Sequence, residues 1–454
     1  MSDSIPTKYQ PGKYLNERIP RYTSYPTAPH FSTAVGPDQY ADWLRRLPAD
    51  ASLSLYLHVP FCRSLCWYCG CTTTITRHTE PVDKYVDLLK QEVGMVADLA
   101  GGQQVAHLHW GGGTPTIVGP DTFGDMMALL RRRFRFAPNA EIAVEVDPRR
   151  LDITTAQALG AAGVTRASLG VQTFNEAAQR AVGRVQSLAA TQTCVDRLRG
   201  AGIGAINVDL LYGLPHETVE TCEASVKVAL TLRPARFSVF GYAHVPQVAK
   251  HQRVIAVDTL PDAAERLRQE QAIGDALLRA GYSRIGLDHY ALPDDPMAQA
   301  LQSGRLRRNF QGYTDDPAAA LIGFGASAIS RMPGGYAQNT ADLRGWSQKI
   351  AAGTFATARG VAMDRDDILR AAIIERLMCD LRVDVPDMLR SLGFAPDWLN
   401  REMADLESLA EDGLLQLQDG VITVPESARN LVRRVASTFD AYLDHSAGRH
   451  AVAV

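Results

Sequence analysis

Four of the seven cysteines fall within ten residues, in Cys62-Arg-Ser-Leu-Cys66-Trp-Tyr-Cys69-Gly-Cys71. Three thiolates spaced CxxxCxxC on one tight loop can ligate three irons of a [4Fe–4S] cube. The fourth iron is then open to a small chelating ligand. Thiolate softness selects iron–sulfur or zinc over harder metals. A structural zinc site usually recruits a second ligand pair tens of residues away. Only His78 lies near and no second CxxC exists, so the spacing points to a cluster. Cys194, Cys222 and Cys379 fall in helical stripes and are expected to pack in the core.

The elements that must position this loop follow from periodicity. Apolar runs at 52–59, 105–110, 141–146, 166–171, 205–212 and 236–243 read as strands. Amphipathic stretches lie between them: Tyr85, Leu88, Leu89, Val96 and Leu99 make one stripe, Phe123, Met126, Met127, Leu130 and Phe134 a second, Val219, Cys222, Val226 and Leu230 a third. Thr154 and Ser187 sit where helix caps belong, Gly163 and Gly202 where helices stop. Six β/α units in series predict an α/β fold with a parallel sheet, a barrel or partial barrel whose site lies at the C-terminal strand ends. An irregular N-terminal arm (1–50) precedes it. After the barrel and its extension (51–355), helical segments at 364–379 and 396–412 lead into a hairpin at Asp419-Gly420 and a final helix at 426–443. Residues 360–454 therefore read as a mostly helical, winged-helix-like domain.

Composition narrows the function classes. The 454 residues are 46% hydrophobic with a net charge of −3, which provides no global field for nucleic acid or membrane. Residues 361–454 hold 10 Arg and no Lys against 17 Asp and Glu, a formal −7, the wrong sign for phosphate binding. Arg131-Arg132-Arg133 reads as the solvated end of an amphipathic helix, where cations suit the dipole. No run approaches the roughly 18 apolar residues of a membrane span, and the N-terminus lacks a signal peptide's basic and apolar regions. The odd, clustered cysteines fit a reducing cytoplasm rather than a disulfide framework.

Larger blocks give a resemblance. CxxxCxxC with an aromatic before its third cysteine, here Tyr68, resembles the radical S-adenosylmethionine (SAM) superfamily. YLHVPFCRSLCWYCGCTTTITR, HLHWGGGTPT, EVDPR, SLGVQTFN, NVDLLYGLP, FSVFGYAHVP and RNFQGYT are similar, in order, to blocks of the oxygen-independent coproporphyrinogen oxidases, as is PRYTSYPTAPHF in the arm. These blocks cover most of 14–345. The resemblance implies a partial (β/α)6 radical-SAM-type barrel, with a [4Fe–4S] cluster on Cys62, Cys66 and Cys69. It carries SAM contact over to Tyr56, Tyr68, Gly112, Gly113, Thr114, Glu145, Gln172, Arg184, Asp209, Ala243 and Ile329. A guanidinium such as Arg184 suits a carboxylate, Asp209 and Gln172 suit ribose hydroxyls. Three consecutive glycines cost chain entropy, which a structural turn alone explains poorly.

The substrate implied is coproporphyrinogen III, two of whose propionates become vinyl groups at the expense of two SAM molecules. Phe310-Gln311 and Ile329 are candidates for shaping a second SAM site, and Arg21 for a propionate anchor. Cys71 is a candidate catalytic residue rather than a cluster ligand, with buried packing as its alternative. Together with the PRYTSYPT arm it favours the oxidase over paralogous haem-transfer or haem-degrading proteins. An electron donor of flavodoxin or ferredoxin type and a monomeric state complete these expectations, with no nucleic-acid or membrane partner. The histidines His58, His107, His109 and His244 read as satisfied core or lining residues.

Overall fold

The structure is a computed structural model that describes Lys13, Tyr14 and residues 17–443. Its contacts gather the chain into two units interleaved in sequence: one of 32–282 and 316–362, the other of the described parts of 1–31, 283–315 and 363–454. The arm is thus divided between the units.

The larger unit holds the expected barrel. Its strands are β1 (Ser52–Val59), β2 (Gln104–Gly112), β3 (Arg135–Val146), β4 (Arg166–Gln172), β5 (Ala205–Tyr212) and β6 (Arg236–Gly241). Neighbours pair parallel in chain order. Leu53, Leu55, Leu57 and Val59 of β1 are all buried, and so are Ser54 and His58 between them. Burial on both faces is what a parallel sheet under helices requires. Four further strands extend the sheet beyond β1: β7 (Ala320–Phe324), β8 (Ile329–Met332), β9 (Gly335–Asn339) and β10 (Thr357–Ala362). β7 runs parallel to β1, and the pairs from β7 to β10 are antiparallel. The sequence reading had assigned no strands to this extension.

Helices return the chain between strands. Within the segment read as an irregular arm lies α1 (Pro37–Arg45), which buries Tyr40, Ala41 and Leu44. The others are α2 (Glu80–Ala100), α3 (Pro120–Arg133), α4 (Ile153–Ala161), α5 (Glu176–Ala181), α6 (Leu188–Gly200), α7 (Val219–Thr231), α8 (Ala263–Arg279) and α9 (Leu343–Ala351). Along α2, Tyr85, Leu89, Val93 and Val96 are buried, each such side chain stabilising by about 1.5–3 kcal/mol. Ser187 caps α6 as expected, but the cap of α4 is Asp152, whose carboxylate accepts from Thr155 N at 2.7 Å, and Thr154 lies inside the helix. Gly163 and Gly202 stop their helices at positive φ, 81° and 87°. α3 does end in Arg131, Arg132 and Arg133.

The smaller unit is built on helices Arg365–Asp380, Val385–Ser391 and Asn400–Glu411. Strands Gln416–Gln418 and Val421–Thr423 flank Asp419-Gly420, which adopts φ of 52° and 77° as a two-residue hairpin demands. Arg382–Asp384 adds a third strand that periodicity did not show. The expected final helix is broken into Glu426–Leu431, Val432–Ala436 and Ser437–Phe439. Tertiary hydrogen bonds take its end: Tyr22 donates to Asp440 at 3.0 Å, and Ala441 N donates to the Tyr25 hydroxyl at 3.0 Å. Among the described residues, no helix is long and apolar enough to cross a membrane.

Candidate active site

Beyond β1 the chain turns sharply, and residues 61–62 pair in parallel with 74–75, closing the cysteine loop at its base. Within the loop, Cys69 N donates to Cys66 O at 3.1 Å. All seven cysteines are free thiols. Each of the three CxxxCxxC sulfurs faces its own donor: Thr114 Oγ1 at 3.4 Å from Cys62, Arg184 Nη1 at 3.4 Å from Cys66, and the Cys71 amide at 3.4 Å from Cys69. Arg149 Nη2 stands 3.8 Å from the Cys66 sulfur as well. Among the described residues, no three His, Cys, Asp or Glu side chains converge on a point that one ion could occupy. A structural zinc needs four ligands within about 2.0–2.3 Å of one centre, whereas a cube spreads three thiolates over three irons. The loop fits the cluster. His78 is exposed, and its backbone N and O both bond the Thr76 hydroxyl at 3.2 Å.

The glycine run leaving β2 is laced to this loop: Gly113 N donates to Val59 O and Thr114 N to Phe61 O, both at 2.8 Å. A Cβ at Gly113 would stand 2.6 Å from Phe61 O, and one at Gly112, where φ is +112°, would strike the His58 ring at 2.7 Å. Close packing therefore accounts for two of the glycines without any ligand. Glu145 accepts from Gly112 N at 3.1 Å and lies 3.2 Å from His109 Nε2. Tyr56, paired in register with His109, stacks on that ring at 5.8 Å and bonds His58 Nδ1 at 3.0 Å.

The ends of β3, β4 and β5 supply the charged groups. Arg149 grips Asp147 with Nε at 2.9 Å and Nη2 at 2.6 Å, and Arg184 stands 3.6 Å away. Burial works against ionising Asp147, but these two guanidiniums outweigh it and hold the carboxyl below its ordinary range. Arg184 also donates to Gly170 O at 2.5 Å, while its Nε is buried with no hydrogen-bond partner. Asp209 accepts from Ser168 at 3.0 Å and from Asn207 at 2.7 Å. Gln172 holds φ of +73°, a left-handed backbone that side-chain-bearing residues adopt at a cost. Gln179 stabilises that turn: its amide donates to Thr173 O and to Gln186 O, both at 2.8 Å, and accepts from Gln186 N at 3.0 Å.

Past β6, the segment 243–260 straps the cysteine loop. His251 Nε2 lies 2.7 Å from Cys69 O, and Gln252, 1% exposed, donates to Tyr68 O at 2.9 Å and Ala243 O at 3.2 Å. Ile329 opens β8, and a Cβ at Gly323, the register partner of Tyr56, would stand 2.6 Å from the Ile329 carbonyl oxygen. No hydrogen bond joins Ile329 to the cysteine loop among the described residues.

Hydrogen bonds and ring contacts thus link Tyr56, Gly112, Glu145, Arg184, Thr114 and Cys62, Cys66 and Cys69 into neighbouring groups at one end of the sheet, with Tyr68 and Ala243 joined through Gln252; Gln172 is placed there by its position at the end of β4. Cys71 is exposed beside Cys69. Asp147, Arg149, Gln179, His251 and Gln252 were not foreseen. Asp147 and Arg149 lie in the EVDPR block, whose acid–base pair at a strand end was a usable signal; nothing local marks the other three. His58, His109 and His244 are satisfied, the last by Tyr242 at 2.9 Å, and Cys194, Cys222 and Cys379 are buried.

The model of the radical SAM superfamily matches residues 56–229. The oxygen-independent coproporphyrinogen III oxidase of Bradyrhizobium diazoefficiens is 50% identical over 442 residues, 97% of this chain and 98% of that one. The enzyme of the same name from Escherichia coli K12 is 40% identical over 430 residues, 94% of each chain. This chain belongs to the oxygen-independent coproporphyrinogen III oxidases. The solved coproporphyrinogen III oxidase of Escherichia coli, described as a radical SAM enzyme, superimposes with a TM-score of 0.90 at 39% identity, over 93% of this chain and 98% of that one. The family and fold expected from the blocks both stand, and the haem-transfer alternative is not favoured.

The residues present also fit a bound SAM. An orphaned, buried guanidinium nitrogen on Arg184 calls for an acceptor such as a carboxylate. Asp209 is a carboxylate fixed in orientation by Asn207 and Ser168, a group of the type that accepts from hydroxyl donors.

Proposed function

We propose that this chain converts two propionates of coproporphyrinogen III to vinyl groups, giving protoporphyrinogen IX in haem biosynthesis without oxygen. The observation that carries this is collinear identity over nearly the whole chain with coproporphyrinogen III oxidases. Each propionate gives a β-hydrogen atom to the abstracting radical and then releases carbon dioxide and one electron, the electron passing to a one-electron acceptor. When bound, the [4Fe–4S] cluster and SAM supply the reductive cleavage that makes a hydrogen-abstracting radical available.

The chain's own residues bind and orient. Cys62, Cys66 and Cys69 hold the cluster. Gly112, Gly113 and Thr114 offer backbone and hydroxyl groups to the methionine end of SAM, and Glu145 accepts its amino group. Arg184 pairs its carboxylate, Gln172 and Asp209 take ribose hydroxyls, and Tyr56, Tyr68, Ala243 and Ile329 line the remainder. Cys71, exposed beside Cys69 and hydrogen-bonded to its sulfur, is the catalytic candidate that meets substrate. The electron donor is a flavodoxin- or ferredoxin-like protein, and the enzyme works as a cytoplasmic monomer, where its free thiols stay reduced. No nucleic acid is involved.

The test is an anaerobic product assay with reductant, SAM and coproporphyrinogen III, with vinyl products separated by chromatography. Protoporphyrinogen should form in the wild type and not after Cys62→Ala, Cys66→Ala or Cys69→Ala, whose brown chromophore should also be lost. Stoichiometric zinc without iron or sulfide in anaerobically purified protein would sink the reading.

A further inference from the structure

Six of the large apolar side chains exposed on the barrel unit lie on three segments bonded to the cysteine loop: Ile75, Val185, Leu188, Val248, Val254 and Val257. Only Ile153 and Leu278 of that class lie elsewhere on the unit. The first segment pairs with Cys62 through Thr76 N at 3.0 Å, the second takes Trp67 N on Val182 O at 2.9 Å, and the third carries His251 and Gln252. Val182 and Ile255 share one apolar cluster with Trp67 and Tyr68. Val185, Val254 and Val257 therefore flank the packing that backs the loop, on its solvent side. Leaving such side chains in water forgoes burial energy, and their concentration on the segments around this loop points to a contact surface.

Exposed charge on the same segments is mostly basic, three cations against one acid. Arg77, Lys250 and Arg253 are exposed and stand in no ion pair among the described residues. Neighbouring Glu80 and Glu176 are already paired with Lys84 and Arg180, leaving Asp258 as the exposed acid of the strap. A basic fringe on a chain of net charge −3 is local, and it selects an acidic partner. Val248, Val257 and Val254 are 79%, 67% and 60% exposed, too open to line the concave pocket a tetrapyrrole needs.

We propose that this face docks a small acidic one-electron carrier protein that reduces the cluster, resting on the functional reading above. One electron leaves the reduced carrier and enters the cluster, so the carrier is oxidised by one electron and the cluster reduced by one. A short apolar centre with a basic fringe matches the small, charge-steered interfaces of redox partners.

The experiment uses the full chain with its cluster reconstituted, and two probes assayed separately: an acidic flavodoxin and an acidic [4Fe–4S] ferredoxin. Binding is read at equilibrium across a salt series, and SAM cleavage is read with carrier or with dithionite. Lys250→Glu with Arg253→Glu, and separately Val254→Ser with Val257→Ser, should each weaken carrier binding by roughly tenfold. The charge-reversed pair should also flatten the salt dependence. Cleavage driven by dithionite should stay within about twofold of wild type, since no binding residue for SAM has changed. Wild-type carrier affinity in both variants, or binding of neither carrier to the wild type, overturns the proposal. So does equal loss of dithionite- and carrier-driven cleavage. Absence of cleavage by dithionite in the wild type overturns the functional reading itself.

Discussion

Arg184 Nη1 stands 3.4 Å from the sulfur of Cys66, while Nε of the same guanidinium is buried without a partner. One side chain thus reaches the cysteine loop with one nitrogen and keeps another buried and unpartnered. Its planar fork can serve both at once, as a lysine could not.

Arg184→Ala and Asp209→Ala should each weaken SAM binding. Either change leaves a partner group unpaired in a partly desolvated pocket, at a cost of about 1–3 kcal/mol, or roughly tenfold or more in affinity. Iron content should persist, because the three thiolates remain, and exposed Arg132→Ala should change neither quantity. Equilibrium SAM binding and iron counted on the same samples check this; wild-type affinity in both variants means that neither residue faces the cofactor.

Gln179 is expected to act on SAM through its neighbours. Its amide fastens Thr173, next to the left-handed Gln172, to Gln186, two residues past Arg184. Gln179→Met keeps the length and removes three hydrogen bonds, each worth about 0.5–1.5 kcal/mol net. Beyond a lowered Tm, SAM affinity should fall, and the loss should be non-additive with Arg184→Lys in a double-mutant cycle. Additive losses would reduce Gln179 to a stabilising role alone.

Cys71→Ser separates ligand from catalyst. The Cys71 amide donates to Cys69 Sγ at 3.4 Å and the Cys71 thiol donates to the same sulfur, so it stands beside the cluster ligands without being one of the three spaced CxxxCxxC, and the residue is exposed. Near-normal iron and sulfide with loss of vinyl formation is the expected result. Cluster loss would show that the thiol is a ligand, and full activity that it has no part in the reaction.

Glu92 predicts a pH dependence of stability. Burial raises its carboxyl from the ordinary 4.5 to about 7, against hydrogen bonds from Gly325 N, Asn339 and Trp346 that favour ionisation. Between those values the folded chain keeps a proton that the unfolded chain has released. Stability attributable to this group is therefore full below the unfolded value and is lost as pH rises toward about 7. The loss is at most on the order of 1.4 kcal/mol per pH unit. Thermal unfolding of wild type and Glu92→Gln over that range should show a steeper decline in the wild type; parallel slopes would contradict the assignment.

Local chemistry was legible from residues alone. The strands 52–59 and 205–212 match to the residue, because a parallel strand covered on both faces is dense in Leu, Ile, Val and Tyr, and its few polar members such as Ser54, His58 and Asn207 are buried with them. The cysteine spacing, the Ser187 cap and the Asp419-Gly420 hairpin are likewise set by neighbours within a few positions. Tertiary structure decided what depends on distant partners. His251 and Gln252 meet Cys69 and Tyr68 across more than 180 residues, through backbone carbonyls that carry no side-chain signature. The final helix yields to tyrosines of the arm, since two buried hydroxyls satisfied at Asp440 and Ala441 outweigh continued helical periodicity. The short strands β7 to β10 exist because β1 offers an edge to pair with, and edge pairing depends on backbone groups that every sequence possesses.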